Sequence, residues 1–324
     1  MSILKERGVP YALISAIMLG ITPILGKQAM LAGLDPLALV AGRTVGAAGL
    51  LLLFVLLFKR SYLTIYPIGL AGCLLAGALN GTGSLFFYAA LARNDAGISQ
   101  LLFSLYPILV AFLLYLDGRQ PSSLTVLRLA VSLPGIYLVT QASQSSVDPT
   151  GVLYVLIAAL FYALHIPINQ RVLYEAPAPT VTLYTLLSMT AVVVPAYLLL
   201  APRVGYFPGE SLQPLLGLTL VTFTARLALF AGVKLIGGVQ TSLFGLAELL
   251  VTILLAHVLL GEDLSLQQWL GGGLIITTLL LAAFDRTQPT PARIRGWLYW
   301  LRSPLVDPNP FVSSPGETDS EPSD

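Results

Sequence analysis

Charge is scarce in this sequence. Only 10% of its 324 residues are Asp, Glu, Lys or Arg, where a soluble domain carries about a quarter. A core of this size would need a polar shell, and too few charges are present to build one. With 56% of residues apolar and a mean hydropathy of +0.83, the chain is expected to be an integral membrane protein whose partner is the lipid bilayer. The net charge of +1 leaves no electrostatic footprint for nucleic acid. Cysteine is nearly absent: Cys73 stands alone in an apolar run, so no intrachain disulfide can form. Histidine is as rare. His165 and His257 fall on separate apolar segments, and the chain has neither H-E-x-x-H nor C-x-x-C. No metal site or cofactor is expected. No nucleophile–base pair or pair of acids stands out at one depth, so an intramembrane enzyme is not the expected reading.

Long apolar runs are what the chain has. A crossing helix needs about 20 mostly apolar residues. That rule gives ten segments: 9–30, 36–58, 67–92, 96–116, 122–141, 151–172, 180–201, 212–235, 238–260 and 265–284. The first, although preceded by Lys5 and Arg7, is too long for the apolar part of a signal peptide and is expected to be a retained span. Asp35-Pro36 and Asp148-Pro149 each pair a helix-capping acid with a first-turn proline, which marks a helix start. After Phe284 the sequence mixes Arg, Trp and Pro. There Ile294, Trp297, Leu298 and Leu301 share one helical face, as expected of a short helix lying on the membrane. The Pro/Ser-rich acidic end beyond it is expected to be disordered.

All 17 Lys and Arg residues can be placed on this frame. With ten spans and the N-terminus inside, eleven fall inside: Lys5, Arg7, Lys59, Arg60, Arg119, Arg171, Lys234, Arg286, Arg293, Arg295 and Arg302. Lys27, Arg93 and Arg203 fall outside, and Arg43, Arg128 and Arg226 lie within spans. This asymmetry predicts a multi-pass protein of the plasma (inner) membrane with both termini cytoplasmic.

The two halves repeat at an offset of about 142–144 residues. "TPILGK" (Thr22 to Lys27) matches "IPINQR" (Ile166 to Arg171), and the stretch from Tyr88 to Gly118 matches that from Phe230 to Gly261 with one inserted residue. Five spans per repeat is an odd number, so the second copy must enter the membrane inverted. The expected architecture is all-α: ten transmembrane helices in two inverted repeats of five, residues 1–142 and 143–286, with a tail at 287–324. Inverted repeats are a signature of secondary transporters, with the substrate near the midplane.

Several motifs carry a family resemblance. The second repeat has "AELL" around Glu248 and "GEDLS" from Gly261 to Ser265; the first has "LYP" (Leu105 to Pro107) and "GRQPS" (Gly118 to Ser122), and Arg43 sits early in the second span. With these the chain resembles a ten-helix, EamA-type member of the drug/metabolite transporter superfamily over about residues 8–285. The family's mid-helix Glu-Pro is split here, Pro107 without the acid and Glu248 without the proline. The resemblance implies export or exchange of small organic metabolites such as amino acids or drugs. It also implies a cavity lined mainly by spans 1, 3, 4, 6, 8 and 9. Flipping of a lipid-linked substrate, a role of some short relatives, is the alternative. Substrate identity, coupling ion and oligomeric state are left open.

The candidate cavity residues are Asn80, Ser84, Tyr88, Tyr106, His165, Asn169, Arg226 and Glu248. Ionisable groups inside a membrane are costly and mark functional sites by default; the uncharged members serve either as interhelical glue or as ligand contacts. Arg226 replaces Ser84 of the first repeat. Counted from the short turn between their spans, Arg226 and Glu248 both lie roughly 14–15 Å deep, which predicts that they face each other. Pro23, Pro107 and Pro167 are candidate kinks or hinges. Gly42-x-x-x-Gly46 and Gly77-x-x-x-Gly81 are expected close-packing contacts.

Overall fold

A computed structural model describes residues 2–118, 121–140, 148–202, 204–260, 265–281, 297–298 and 300–301. Among these, every element is helical. In chain order they are α1 (Ser2–Leu31), α2 (Pro36–Phe58), α3 (Pro67–Leu91), α4 (Ala96–Phe103), α5 (Tyr106–Leu116), α6 (Ser123–Thr140), α7 (Pro149–Leu173), α8 (Ala178–Leu200), α9 (Leu212–Ile236), α10 (Gly238–Phe244), α11 (Leu246–Leu260) and α12 (Leu266–Leu281). Among the described residues, seven stretches are long and apolar enough to cross a membrane, one of them Gly238–Leu259 across α10 and α11. The stretches Tyr106–Leu116, Ser123–Gly135 and Trp269–Thr278 are shorter apolar helices.

Helix starts follow local chemistry. Asp35 caps α2 by accepting from the backbone N–H of Leu37 (2.9 Å) and Ala38 (3.3 Å), with Pro36 in the first turn. Asp148 caps α7 in the same way, accepting from Thr150 N–H at 2.9 Å. Both satisfy donors that a helix N-terminus leaves open.

The expected continuous segments 96–116 and 238–260 are each two helices. The first breaks between Phe103 and Tyr106. Pro107 has no N–H for the carbonyl of Phe103, and its ring crowds that carbonyl, so α4 stops and α5 starts afresh. The second breaks at Gly245 without any proline. Only glycine fits at this position, because a Cβ on Gly245 would overlap the Tyr106 hydroxyl. The two breaks lie against each other.

The large helix interfaces all join one repeat to the other. α1 packs along α9, and α3 along α7; α2 packs on α8, and α6 on α12. At an offset of about 142 residues, α1–α9 and α3–α7 are the same interface seen from the two repeats. The expected glycine contacts sit in two further inter-repeat seams, α2 on α9 and α3 on α8. Gly42 and Gly46 lie against Leu215 and Thr219 of α9, and Gly77 and Gly81 against Ser188 and Met189 of α8.

Polarity is distributed as in a protein solvated by lipid. Leu57, Leu199 and Leu216 are largely exposed on the outer surface, while Arg43, Asn80, Arg128, Asn169, Arg226 and Glu248 are buried. At the end where α5 finishes, Arg171 and Asp117 form a buried ion pair at 2.7 Å. A segment near the C-terminus seals it. Leu298 N–H donates to Asp117 Oδ1 (3.3 Å), and Trp297 Nε1–H donates to the carbonyl of Leu113 (3.1 Å). Sequence periodicity placed Trp297, Leu298 and Leu301 on a membrane-surface helix. Residues 297, 298 and 300 are turns, and Leu298 and Leu301 are buried with Ala76 of α3 and Ile168 of α7; the rest of the expected helix lies outside the described residues. Ile294, the Gly261–Leu264 part of "GEDLS", Arg119–Gln120 and the acidic end lie outside the described residues.

Candidate functional site

The two helix breaks put polar chemistry in the middle of the bundle. Glu248 lies in the first turn of α11, where free backbone N–H groups and the helix dipole favour a carboxylate. Its oxygens accept from Tyr106 OH (3.2 Å) and from Gln100 Nε2 (3.4 Å). Tyr106 stands in the first turn of α5, and Gln100 on α4. A helix interior would have offered Glu248 neither the open helix end nor the neighbouring hydroxyl.

Beside Glu248 is a cavity of about 50 Å³, room for about three or four water molecules. Arg43 of α2 and Arg226 of α9 both line it. Arg226 Nη2 donates to Asn80 Oδ1 (3.1 Å) and Arg43 Nη1 to Thr222 Oγ1 (3.3 Å). The guanidinium carbons lie 4.7 Å from the centre of the Tyr88 ring (Arg43) and 5.6 Å from that of Tyr162 (Arg226). Both separations are within cation–π range. Ser84, Phe87 and Gly83 of α3, Phe103 of α4 and Ala158 of α7 complete most of the wall.

Leu19 and Thr22 of α1 contribute the remaining face. Pro23 has no N–H for the carbonyl of Leu19, and Thr22 Oγ1 donates to that carbonyl at 2.6 Å. The proline break in the α1 ladder is thus closed by a hydroxyl, a common repair in membrane helices.

Of the expected residues, Asn80, Ser84, Tyr88, Arg226 and Glu248 line this cavity. Tyr106 stands behind it, as the partner of Glu248 and as part of an aromatic cluster with Phe103 (5.4 Å) and Tyr162 (4.7 Å). His165 and Asn169 do not line the cavity. The His165 ring packs on Tyr162, and Nδ1 meets the Tyr162 carbonyl; Asn169 Oδ1 accepts from Thr185 at 3.2 Å. Pro167 is buried inside α7, and Pro107 starts α5.

The expected direct pairing of Arg226 with Glu248 is not formed. No ion pair joins them, and each has other partners. The depth arithmetic treated residues 238–260 as one straight helix. The break at Gly245 starts a new one, which turns Glu248 toward Tyr106 and Gln100, while Arg226 turns toward α3.

Arg43, Gln100 and Tyr162 were not singled out from sequence as site residues. Arg43 carried the same signal as Arg226, an arginine within a span, and that criterion applied evenly finds it. Gln100 carried a weaker signal, a lone amide in an apolar run; nothing in the sequence marks Tyr162.

The EamA-like transporter family model matches residues 6–141 and again 149–284. This chain belongs to the EamA-like transporter family. The two matches are the two halves of this EamA-like protein, and together they take in every cavity residue. Its curated relatives include an uncharacterized transporter of Archaeoglobus fulgidus, 26% identical over 60% of this chain and 70% of the relative. The uncharacterized inner membrane transporter YedA of Escherichia coli is 25% identical over 78% and 82% of the two chains. A solved structure described only as the crystal structure of a protein superposes with a TM-score of 0.68 at 20% identity, over 86% of this chain and 97% of its own. That likeness supports the fold alone. The EamA-like protein is therefore a membrane transporter by family.

Proposed function

We propose that the chain is a secondary transporter that carries a small organic solute across the cytoplasmic membrane by alternating access. Export or exchange is the direction the family resemblance implies. In this reading the ten helical segments are ten spans, in two inverted repeats of five, with both termini cytoplasmic. The asymmetric placement of Lys and Arg supports that orientation.

One observation carries the reading. The polar cavity lies where two broken helices meet, and each of its inter-helix hydrogen bonds links the repeats: Tyr106 to Glu248, Gln100 to Glu248, Arg43 to Thr222, Arg226 to Asn80. A site held by both repeats at once lies where a carrier's substrate site is expected. Broken helices also bring unsatisfied backbone ends to a membrane interior, and these persist only where they line a cavity or are buried in protein.

Solute counterflow in liposomes tests this. Liposomes loaded with a solute at millimolar concentration should transiently accumulate the same labelled solute against its gradient, with no chemical change. A panel of metabolites that gives no counterflow, or a labelled solute recovered as a different compound, would sink the carrier reading.

A further inference from the structure

The charges around the cavity do not balance. Arg43 and Arg226 are 5% and 4% exposed, and Glu248 is the one acid in the lining. Counted with Glu248 ionised, the lining carries a net +1; with Glu248 neutral it carries +2. In either case it lacks an anion. Holding a guanidinium away from water is costly unless its donors and charge are met.

The donors are not met either. Arg226 Nε and Nη1, Arg43 Nε, Asn80 Nδ2 and the Tyr162 hydroxyl are all buried without a hydrogen-bond partner. Buried polar groups are nearly always paired, so a cluster of open donors around one cavity needs an explanation. The two acceptor oxygens of Glu248, by contrast, are already engaged. The vacancy is for an acceptor, and guanidinium forks match a planar two-oxygen group best.

Much of the remaining wall is apolar, Leu19, Phe87, Phe103 and Ala158, with Thr22, Ser84, Tyr88 and Gln100 as its polar part. A fully polar oxyanion such as inorganic phosphate would lose its hydration against the apolar side chains. An organic acid would place its body there and its carboxylate on the arginines. We propose that the cavity binds the carboxylate of a small organic acid between Arg43 and Arg226, with an apolar body on the Phe87–Phe103 side. This rests on the transporter reading for its purpose but not for its chemistry. Arg43 comes from the first repeat and Arg226 from the second, so the carboxylate would tie the two repeats together.

Binding and transport can be read separately. Thermal unfolding of purified protein in detergent is followed with acetate, pyruvate and benzoate, each against its amide, and with benzylammonium and inorganic phosphate. At least one carboxylate should stabilise the protein saturably, while its amide, the ammonium and phosphate do not. Arg43→Gln and Arg226→Gln should each weaken that binding about tenfold or more. If Arg226→Gln does not give folded protein, Arg226→Lys, which keeps the charge and loses the fork, should fold and bind more weakly. Amides as effective as their acids, phosphate alone, no stabilising carboxylate, or unchanged affinity in the folded arginine variants would overturn the proposal. Carboxylate binding without counterflow leaves this site standing and sinks the carrier reading. Counterflow of neutral solutes alone does the reverse.

Discussion

Tyr106 and Glu248 are 142 residues apart, occupy the same place in the two repeats, and share a hydrogen bond of 3.2 Å. A residue bonded to its own repeat counterpart sits at the contact between the repeats. Gly245 completes the contact, since the Tyr106 hydroxyl occupies the place where a side chain would begin.

The crowding at Gly245 predicts a rescue. Gly245→Ala should destabilise the protein by about 1–3 kcal/mol, the usual cost of overpacking. Tyr106→Phe removes the oxygen that the new methyl meets. The double variant should therefore be more stable than the sum of the two single losses, measured by thermal unfolding in detergent. Simple additivity would show that Gly245 is needed for another reason.

The Asp117–Arg171 pair predicts a compensating double variant. Both side chains are almost fully buried and bonded to each other. Removing one partner leaves an uncompensated charge, typically costing about 3–5 kcal/mol. Asp117→Leu and Arg171→Leu should each cost about that much, and the double variant should recover most of it. Leu298 N–H loses its acceptor in either Asp117 variant. Protease sensitivity of the tail should therefore rise with Asp117→Leu more than with Arg171→Leu.

Asp148 predicts a pH signature at the surface. The Arg93 guanidinium at 3.0 Å and the Thr150 N–H hold its carboxyl below the usual carboxylate range. A depressed folded-state value means the contribution is present above the unfolded value, about 3.9, and is lost as pH falls through the folded one. Asp148→Asn should thus lower the melting temperature slightly at pH 7 and not at all at the acid end. An equal difference at both would assign the effect to capping alone.

Orientation predicts labelling. In a Cys73→Ala background, a cysteine at Gly209 should react with an impermeant thiol reagent added to intact cells. One at Ser61 should react only after permeabilisation. Both positions are exposed. External labelling at Ser61 would overturn the arrangement with both ends inside.

Much of the architecture was legible because lipid simplifies the code. Apolar runs located the stretches in which the twelve helices fall but not the breaks within two of them, Asp-Pro gave two starts, and the Gly-x-x-x-Gly pairs gave two seams. The site was legible only in its outline. Glu248 and Arg226 announced themselves by charge, but their partners depended on a helix break at Gly245. That break lies against a tyrosine 139 residues earlier in the chain, and no local pattern records the contact. The same reason hid Tyr162, whose role comes from its neighbours and not from its own segment. The apolar face of Leu298 and Leu301 reads alike in sequence whether it meets lipid or protein.

If the two repeats exchange conformations, distances between positions change places in a fixed way. The separation of positions i and j in one state becomes that of their counterparts in the other. A residue and its own counterpart form the one kind of pair for which this exchange changes nothing. Tyr106 and Glu248 are such a pair, and their contact is a fixed point of the motion. Arg171 and Asp117 are not: their counterparts are Lys27 and Leu260. Spin labels at 106 and 248 would then serve as a built-in ruler of constant length, against which a changing distance between labels at 117 and 171 could be read.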